Sequence, residues 1–295
     1  MKKTSIITSL ILTVSICLSG CASMNPTNGK AQEQTNAIVS TSVAICQILD
    51  RLEYTGVIGV PETSNTLPDR YKNATVIGAP MNPDFEIIKS LSPDLVLTPK
   101  SLESTLSKDY TAAGINSAFL DLSSVEGMYK AINSLGKLLG CEKKAQELTS
   151  EYENYMAEYT AKKGEQPNIL LLMAFPDGFY LVATENSYVG NLVKLAGGKN
   201  VYGSSTNGDE NGFVNINPED MVQKDPDMIL VFAHYAEKDA FSFMKKEFET
   251  NKSWQYYDAV TQGEIHYLPS EYFGMSATLS WSKGLDHLEP ILYGE

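Results

Sequence analysis

The chain has 295 residues, 23 basic against 36 acidic, a net charge of −13 and only three histidines. An acidic balance of that size argues against a nucleic-acid partner, whose phosphates call for clustered lysine and arginine. The length exceeds what one compact core usually holds, so two domains are expected.

The chain opens on Lys2 and Lys3, continues as an apolar run over residues 6–18, and reaches Leu18-Ser19-Gly20-Cys21. Basic start, apolar stretch, small residues and then a cysteine is the arrangement of a bacterial lipoprotein signal. The run is shorter than the roughly 20 apolar residues that span a bilayer, so it reads as a removed signal over 1–20, with Cys21 as the acylated first residue. Removal takes Lys2 and Lys3 and no acid, which moves the net charge from −13 to −15. Residues 21–35 are small and polar without apolar period, a flexible tether that would hold the protein on the extracytoplasmic face of the cell membrane. Cys46 and Cys141 are too few for a disulfide framework and read as small buried residues, one in a helix and one at a helix–helix junction.

Residues 37–52 read as a short strand and then a helix, with Ser40, Thr41 and Ser42 as candidate N-caps. Strands follow at 54–60 and 75–78, a helix at 85–91, a buried strand at 95–98, a helix around 102–113 and a strand at 118–122. This alternation predicts a parallel sheet covered on both faces. From 124 to 163 apolar residues recur at helical spacing, with a bend at Gly140-Cys141. A second α/β block begins at Pro167, with strands at 169–174, 180–183 and 228–232 and a helix at 189–195 stopped by Gly197-Gly198. The domain reading is therefore an N-terminal α/β lobe over 36–140, a linking helix over 141–164 and a C-terminal α/β lobe over 165–295. The lobes echo one another, because Glu86 stands seven residues before Pro93-Asp94-Leu95 and Glu219 seven before Pro226-Asp227-Met228.

Catalytic motifs are missing: there is no phosphate-binding glycine loop, no Gly-x-Ser-x-Gly turn and no His-x-x-x-His pair, so the chain reads as a binding protein and not an enzyme. Two positions stand out. Met81 lies in Gly78-Ala79-Pro80-Met81-Asn82-Pro83, where the flanking prolines exclude regular structure; its thioether either folds back into a core or stands free as a soft ligand. His234 directly follows a strand, the end of an open α/β sheet where ligands bind, and is either a hydrogen-bonded structural residue or a ligand. Facing one another across a cleft, a neutral imidazole and a thioether suit the iron of a planar heme. The apolar, aperiodic run with Tyr272, Phe273 and Met275 suits either a pocket wall or a loop packed on its own lobe. Glu86 and Glu219 each open a helix, as dipole caps or as surface anions for a basic membrane partner.

The lipoprotein signal, the two lobes, the paired glutamates and Leu195-Ala196-Gly197-Gly198-Lys199-Asn200-Val201 resemble the cobalamin-, siderophore- and heme-binding lipoproteins of ABC importers. Gly78-Ala79-Pro80-Met81-Asn82-Pro83-Asp84, Ala233-His234 and Phe273-Gly274-Met275-Ser276-Ala277 narrow this to the IsdE-type heme receptors. The resemblance implies an α/β fold of two Rossmann-like lobes joined by a long rigid helix, the class III periplasmic-binding-protein fold. It implies heme b as the transported ligand, held axially by Met81 and His234, with propionates at the first helix N-terminus near Thr41 and Ser42. It also implies Glu86 and Glu219 as docking points for an ABC permease with its ATPase, and cell-surface heme-relay proteins as possible donors. The alternative on the same fold is a ferric siderophore receptor, against which the scarcity of arginine weighs, since Arg51 and Arg70 are the chain's only two.

Overall fold

A computed structural model of the chain describes residues 36–159, 166–204, 211–215 and 223–294. The signal and tether over 1–35, with Cys21, and the permease-docking candidate Glu219 lie outside the described residues.

The N-terminal part runs β1 (Ile38–Ser40), α1 (Val43–Arg51), β2 (Val57–Val60), β3 (Thr75–Val76), β4 (Gly78–Ala79), β5 (Asn82–Pro83) and α2 (Phe85–Leu91). It continues with β6 (Leu95–Pro99), α3 (Glu103–Ala113) and β7 (Ser117–Leu120). The sheet order is β3-β2-β1-β6-β7, every neighbour parallel, as the alternation of strands and helices demands. Cys46 sits on the buried face of α1, where burial pushes its thiol up to about 11, and Cys141 is half-buried directly after Gly140.

Two helices follow: α4 (Val125–Leu139) and α5 (Glu142–Glu158). They turn back on one another at Gly140, whose φ of 69° is the left-handed conformation that a Cβ disfavours. Their approach is close, since a Cβ on Gly136 would come within 2.5 Å of the Ala145 methyl.

The C-terminal part runs β8 (Asn168–Ala174), β9 (Tyr180–Ala183), α6 (Tyr188–Leu195), β10 (Lys199–Asn200), β11 (Phe213–Val214) and β12 (Met228–Ala233). It ends with α7 (Glu237–Thr250), α8 (Asp258–Thr261), β13 (Ile265–Leu268) and α9 (Trp281–Tyr293). Its sheet is β11-β9-β8-β12-β13 with β10 beside β8. This sheet is mixed: β8 and β9 form an antiparallel hairpin and β11 pairs antiparallel with β9.

The Pro-Asp echo has a shared structural cause. In the first lobe Ala37 N–H donates to the Asp94 carboxylate (2.7 Å) while Asp94 N–H donates back to the Ala37 carbonyl (2.8 Å). In the second, Asn168 N–H donates to Asp227 (2.6 Å) and Asp227 N–H returns to the Asn168 carbonyl (2.8 Å). Each aspartate thereby satisfies a backbone donor at the mouth of its lobe's central strand pair, β1–β6 or β8–β12.

The joint between the lobes is packed and hydrogen-bonded. A single apolar cluster runs from Ile38 and Ile48 through Met128 and Ile132 to Leu171, Leu192 and Leu288. Ala277 N–H donates to the Leu122 carbonyl (2.7 Å) and Val125 N–H to the Asn191 side chain (3.0 Å). Trp281, on α9, donates its indole N–H to the Tyr129 hydroxyl on α4 (3.1 Å) and meets the ring of Tyr155 on α5 edge-on at 4.9 Å.

Candidate functional site

Met81 occupies the turn of a small antiparallel hairpin, β4–β5, in which Pro80 and Met81 form the two-residue connection and Pro83 lies in β5, so the prolines do not abolish regular pairing. The hairpin is held at its base. Gly78 has a φ of 91°, and a Cβ there would press within 3.1 Å of the Asp84 nitrogen. Asp84 N–H donates to the Ile77 carbonyl (2.7 Å), and its carboxylate caps α2 by accepting from Glu86 N–H (2.9 Å) and Ile87 N–H (3.0 Å). The Met81 side chain does not fold into a core: the residue is 59% exposed. A thioether left in solvent forfeits its burial energy, which sets it apart from the fully buried Met128 and Met244.

His234 follows β12 directly, and its backbone N–H donates to the Ala174 carbonyl (2.9 Å), which extends the β8–β12 ladder past its last pair. The half-buried imidazole lies against Phe175, with ring centroids 4.8 Å apart and planes inclined by 17°, and meets Tyr235 edge-on at 5.4 Å. Its Nδ1 is buried with no hydrogen-bond partner among the described residues. Burial holds the imidazole pKa below its usual value of 6.5, so the ring stays neutral near pH 7 and keeps a lone pair for a metal. The backbone after it is strained, with Ala236 in the left-handed region at φ 45°.

The run through residues 270–277 is tied beside His234 by Ser270 N–H donating to the Glu237 carboxylate at the head of α7 (2.5 Å). Tyr272 is half-buried, with its ring 6.3 Å from that of His287. Phe273 is fully buried and packs against His287 at 5.7 Å, so it belongs to the interior of its lobe and is no exposed pocket wall. Thr41 also departs from expectation. It is fully buried, its N–H donates to the Leu97 carbonyl, and its hydroxyl donates to Leu97 or Thr98, which leaves it no donor for a carboxylate. Ser42, half-buried, stands at the N-cap position of α1 without a side-chain cap bond. Glu86 has a side chain 86% exposed and an ion pair to Lys89 one turn on (3.5 Å).

Between the lobes lies a cavity of about 630 Å³, within the range typical of small-molecule sites. Its walls come from the ends of β6 and β7, the start of α6 and the 275–276 segment. They mix polar and apolar surface in nearly equal parts: Lys100, Ser101, Asp121, Ser124 and Ser187 face it together with Leu122, Tyr188 and Met275. Of the residues singled out from sequence only Met275 lines this cavity; Met81, His234, Tyr272, Phe273, Thr41 and Ser42 do not. Sequence reading missed Phe175, although Ala174↔Ala233 pairing in β8–β12 places residues 175 and 234 side by side at the strand ends.

Two α/β sheets on one continuous core, with loops from both facing a shared cavity, describe a bilobal binding protein, and residues 38–272 match the periplasmic binding protein family. The chain belongs to that family. Among periplasmic binding proteins it is 32% identical, over 300 residues and 99% of both chains, to the high-affinity heme uptake system protein IsdE of Staphylococcus aureus strain MRSA252. The crystal structure of S. aureus IsdE complexed with heme superimposes with a TM-score of 0.81, covering 88% of this chain and 99% of that one at 32% identity. An ABC transporter substrate-binding protein from Listeria monocytogenes EGD-e gives a TM-score of 0.80 at 35% identity, covering 89% and 100%. The triscatecholate siderophore binding protein FeuA from Bacillus subtilis shares the fold at 22% identity, with a TM-score of 0.66 over 88% and 92% of the two chains. No helix among the described residues is long and apolar enough to cross a membrane.

Proposed function

We propose that this periplasmic binding protein captures heme and delivers it to an ABC permease, with Met81 and His234 as the axial ligands of the transported iron and Cys21 as its lipid anchor. The exposed thioether of Met81 carries the reading. A methionine held in solvent at the tip of a braced hairpin has given up packing, and soft ligation of an incoming iron accounts for that loss. His234 contributes the complementary donor, a neutral imidazole at a strand end of the opposite lobe. A Met/His pair on two lobes joined by a packed core supplies both ligands with little lobe movement, and the heme plane buries its apolar faces between them. Protein groups bind and orient the cargo; no bond of the porphyrin is made or broken. The half-buried Ser42 and the first turn of α1 are the places for a propionate, backbone N–H groups there favouring an anion. Glu86 is exposed as a docking carboxylate for the permease must be, and Glu219 would be its counterpart on the other lobe.

A ferric siderophore is the competing cargo, favoured by the polar side chains Lys100, Ser101, Ser124 and Ser187 that line part of the 630 Å³ cavity. Parallel titrations of the purified mature protein, with hemin and with ferric catecholate and hydroxamate complexes, separate the two. A saturable one-to-one change with hemin alone is the expected result; saturation by a siderophore complex and none by hemin would replace the reading.

A further inference from the structure

We propose that Phe175 is a positioning residue that sets the plane of the His234 imidazole, in place of the hydrogen bond that usually orients a metal-binding histidine. The inference rests on His234 being an axial ligand.

A histidine that binds metal through one ring nitrogen ordinarily donates the other N–H to a carboxylate, a carbonyl or water, which fixes the ring's rotation. Here Nδ1 is buried and finds no carboxylate or carbonyl partner among the described residues. Rotation about the Cβ–Cγ bond is instead limited by two rings. The Phe175 ring lies nearly parallel to the imidazole at 4.8 Å and 17°, and Tyr235 closes one edge at 5.4 Å and 83°. Turning the imidazole by a quarter would give up the face-to-face contact with Phe175.

Phe175 is itself fixed. It begins the five-residue turn between β8 and β9, where its N–H donates to the Phe179 carbonyl (2.9 Å) and its ring meets that of Phe179 at 5.4 Å. Gly178, at φ 92°, permits the turn. The β8–β12 register then aligns Phe175 with His234 one step beyond the last strand pair, Ala174 and Ala233. Backbone geometry therefore delivers a flat apolar face to one side of the imidazole, and the imidazole plane relative to the porphyrin axes follows from it.

Electron paramagnetic resonance of the ferric, hemin-loaded protein reads this directly, because the imidazole plane governs the rhombic splitting of a low-spin iron. Wild type should give one narrow set of g values. F175L should give a broadened or multiple set and release heme about ten-fold faster, the lower end of what loss of a ligand's outer support costs. F175Y, which keeps the ring, should restore both properties, and F175M, which fills the space without a flat face, should behave as F175L does. A single wild-type-like g set with unchanged release in F175L and F175M would overturn the assignment while leaving heme binding intact. Absence of a low-spin, His234-dependent signal in wild type would instead refute axial ligation, and with it the ground for the inference.

Discussion

Replacing Trp281 with alanine should loosen the joint between the lobes, and its cost can be worked from the contacts. The side chain is only 3% exposed and stands edge-on to three tyrosines of α4 and α5, at 6.4 Å from Tyr129, 5.5 Å from Tyr152 and 4.9 Å from Tyr155. Emptying a buried tryptophan site costs about 3–5 kcal/mol. The Tyr129 hydroxyl also loses its indole donor, at 3.1 Å, in a largely buried position, which pushes W281A to the upper part of that range. For a chain of this size 1 kcal/mol moves the melting midpoint by about 2–4 °C, so a fall of roughly 8–20 °C is expected by circular dichroism or calorimetry. W281F keeps most of the ring contact and removes the N–H donor, and should lose about 1–3 kcal/mol. Y256A, at a residue 78% exposed, serves as the surface control and should move the midpoint by no more than about 2 °C. Solution scattering should show little change in radius of gyration when wild type takes up hemin and a larger one in W281A. A W281A midpoint within about 2 °C of wild type would refute the claim that this aromatic cluster holds the lobes.

Three further predictions concern the site itself. D84A removes the acceptor for Glu86 N–H and Ile87 N–H at the start of α2, costing about 1 kcal/mol, yet it keeps the Asp84 backbone bond to Ile77 that braces the Met81 hairpin; the midpoint should fall by a few degrees with heme affinity nearly unchanged, as paired melting and titration experiments will read. His234 has its pKa depressed by burial, so the unfolded chain binds the extra proton first as pH falls. Its contribution to stability is therefore complete above pH 6.5 and is lost as pH drops from 6.5 through the folded value, a window that H234Q should abolish in a comparison of melting midpoints against pH. The low-spin heme spectrum should likewise persist at about pH 6 and convert only in more acidic solution.

The N-terminal sheet, the α4–α5 bend at Gly140 and the strands at 169–174 and 180–183 were legible because apolar period, glycine stops and Pro-Asp turns all act over short stretches of chain. The antiparallel pairing of β9 and β11 was not read: Pro176-Asp177-Gly178 between the strands at 169–174 and 180–183 is a strong hairpin signal that the sequence reading passed over, whereas the return of β11 to β9 depends on a longer connection that carries no local signal. Met81 and His234 were visible as unusual residue types at strand ends. Their surroundings were not, because Phe175 reaches His234 only through a register spanning 59 positions, and Trp281 reaches Tyr129 across 152. Thr41, placed near a propionate by the family resemblance, and Phe273, placed in a pocket wall by its apolar, aperiodic run, have surroundings that only the fold reveals: the sheet claims the first and the core the second. The repeated Pro-Asp turn was readable as an echo, and its reciprocal backbone bonds give the echo a physical cause.

The most direct test of Met81 and His234 as iron ligands is an absorption titration of the mature protein with hemin, wild type beside M81A and H234A, both residues standing outside the apolar core. Wild type should give a saturating one-to-one Soret shift with low-spin bands, and each variant an altered spectrum. A wild-type protein that gives no specific shift, or variants whose spectra match wild type, would contradict it.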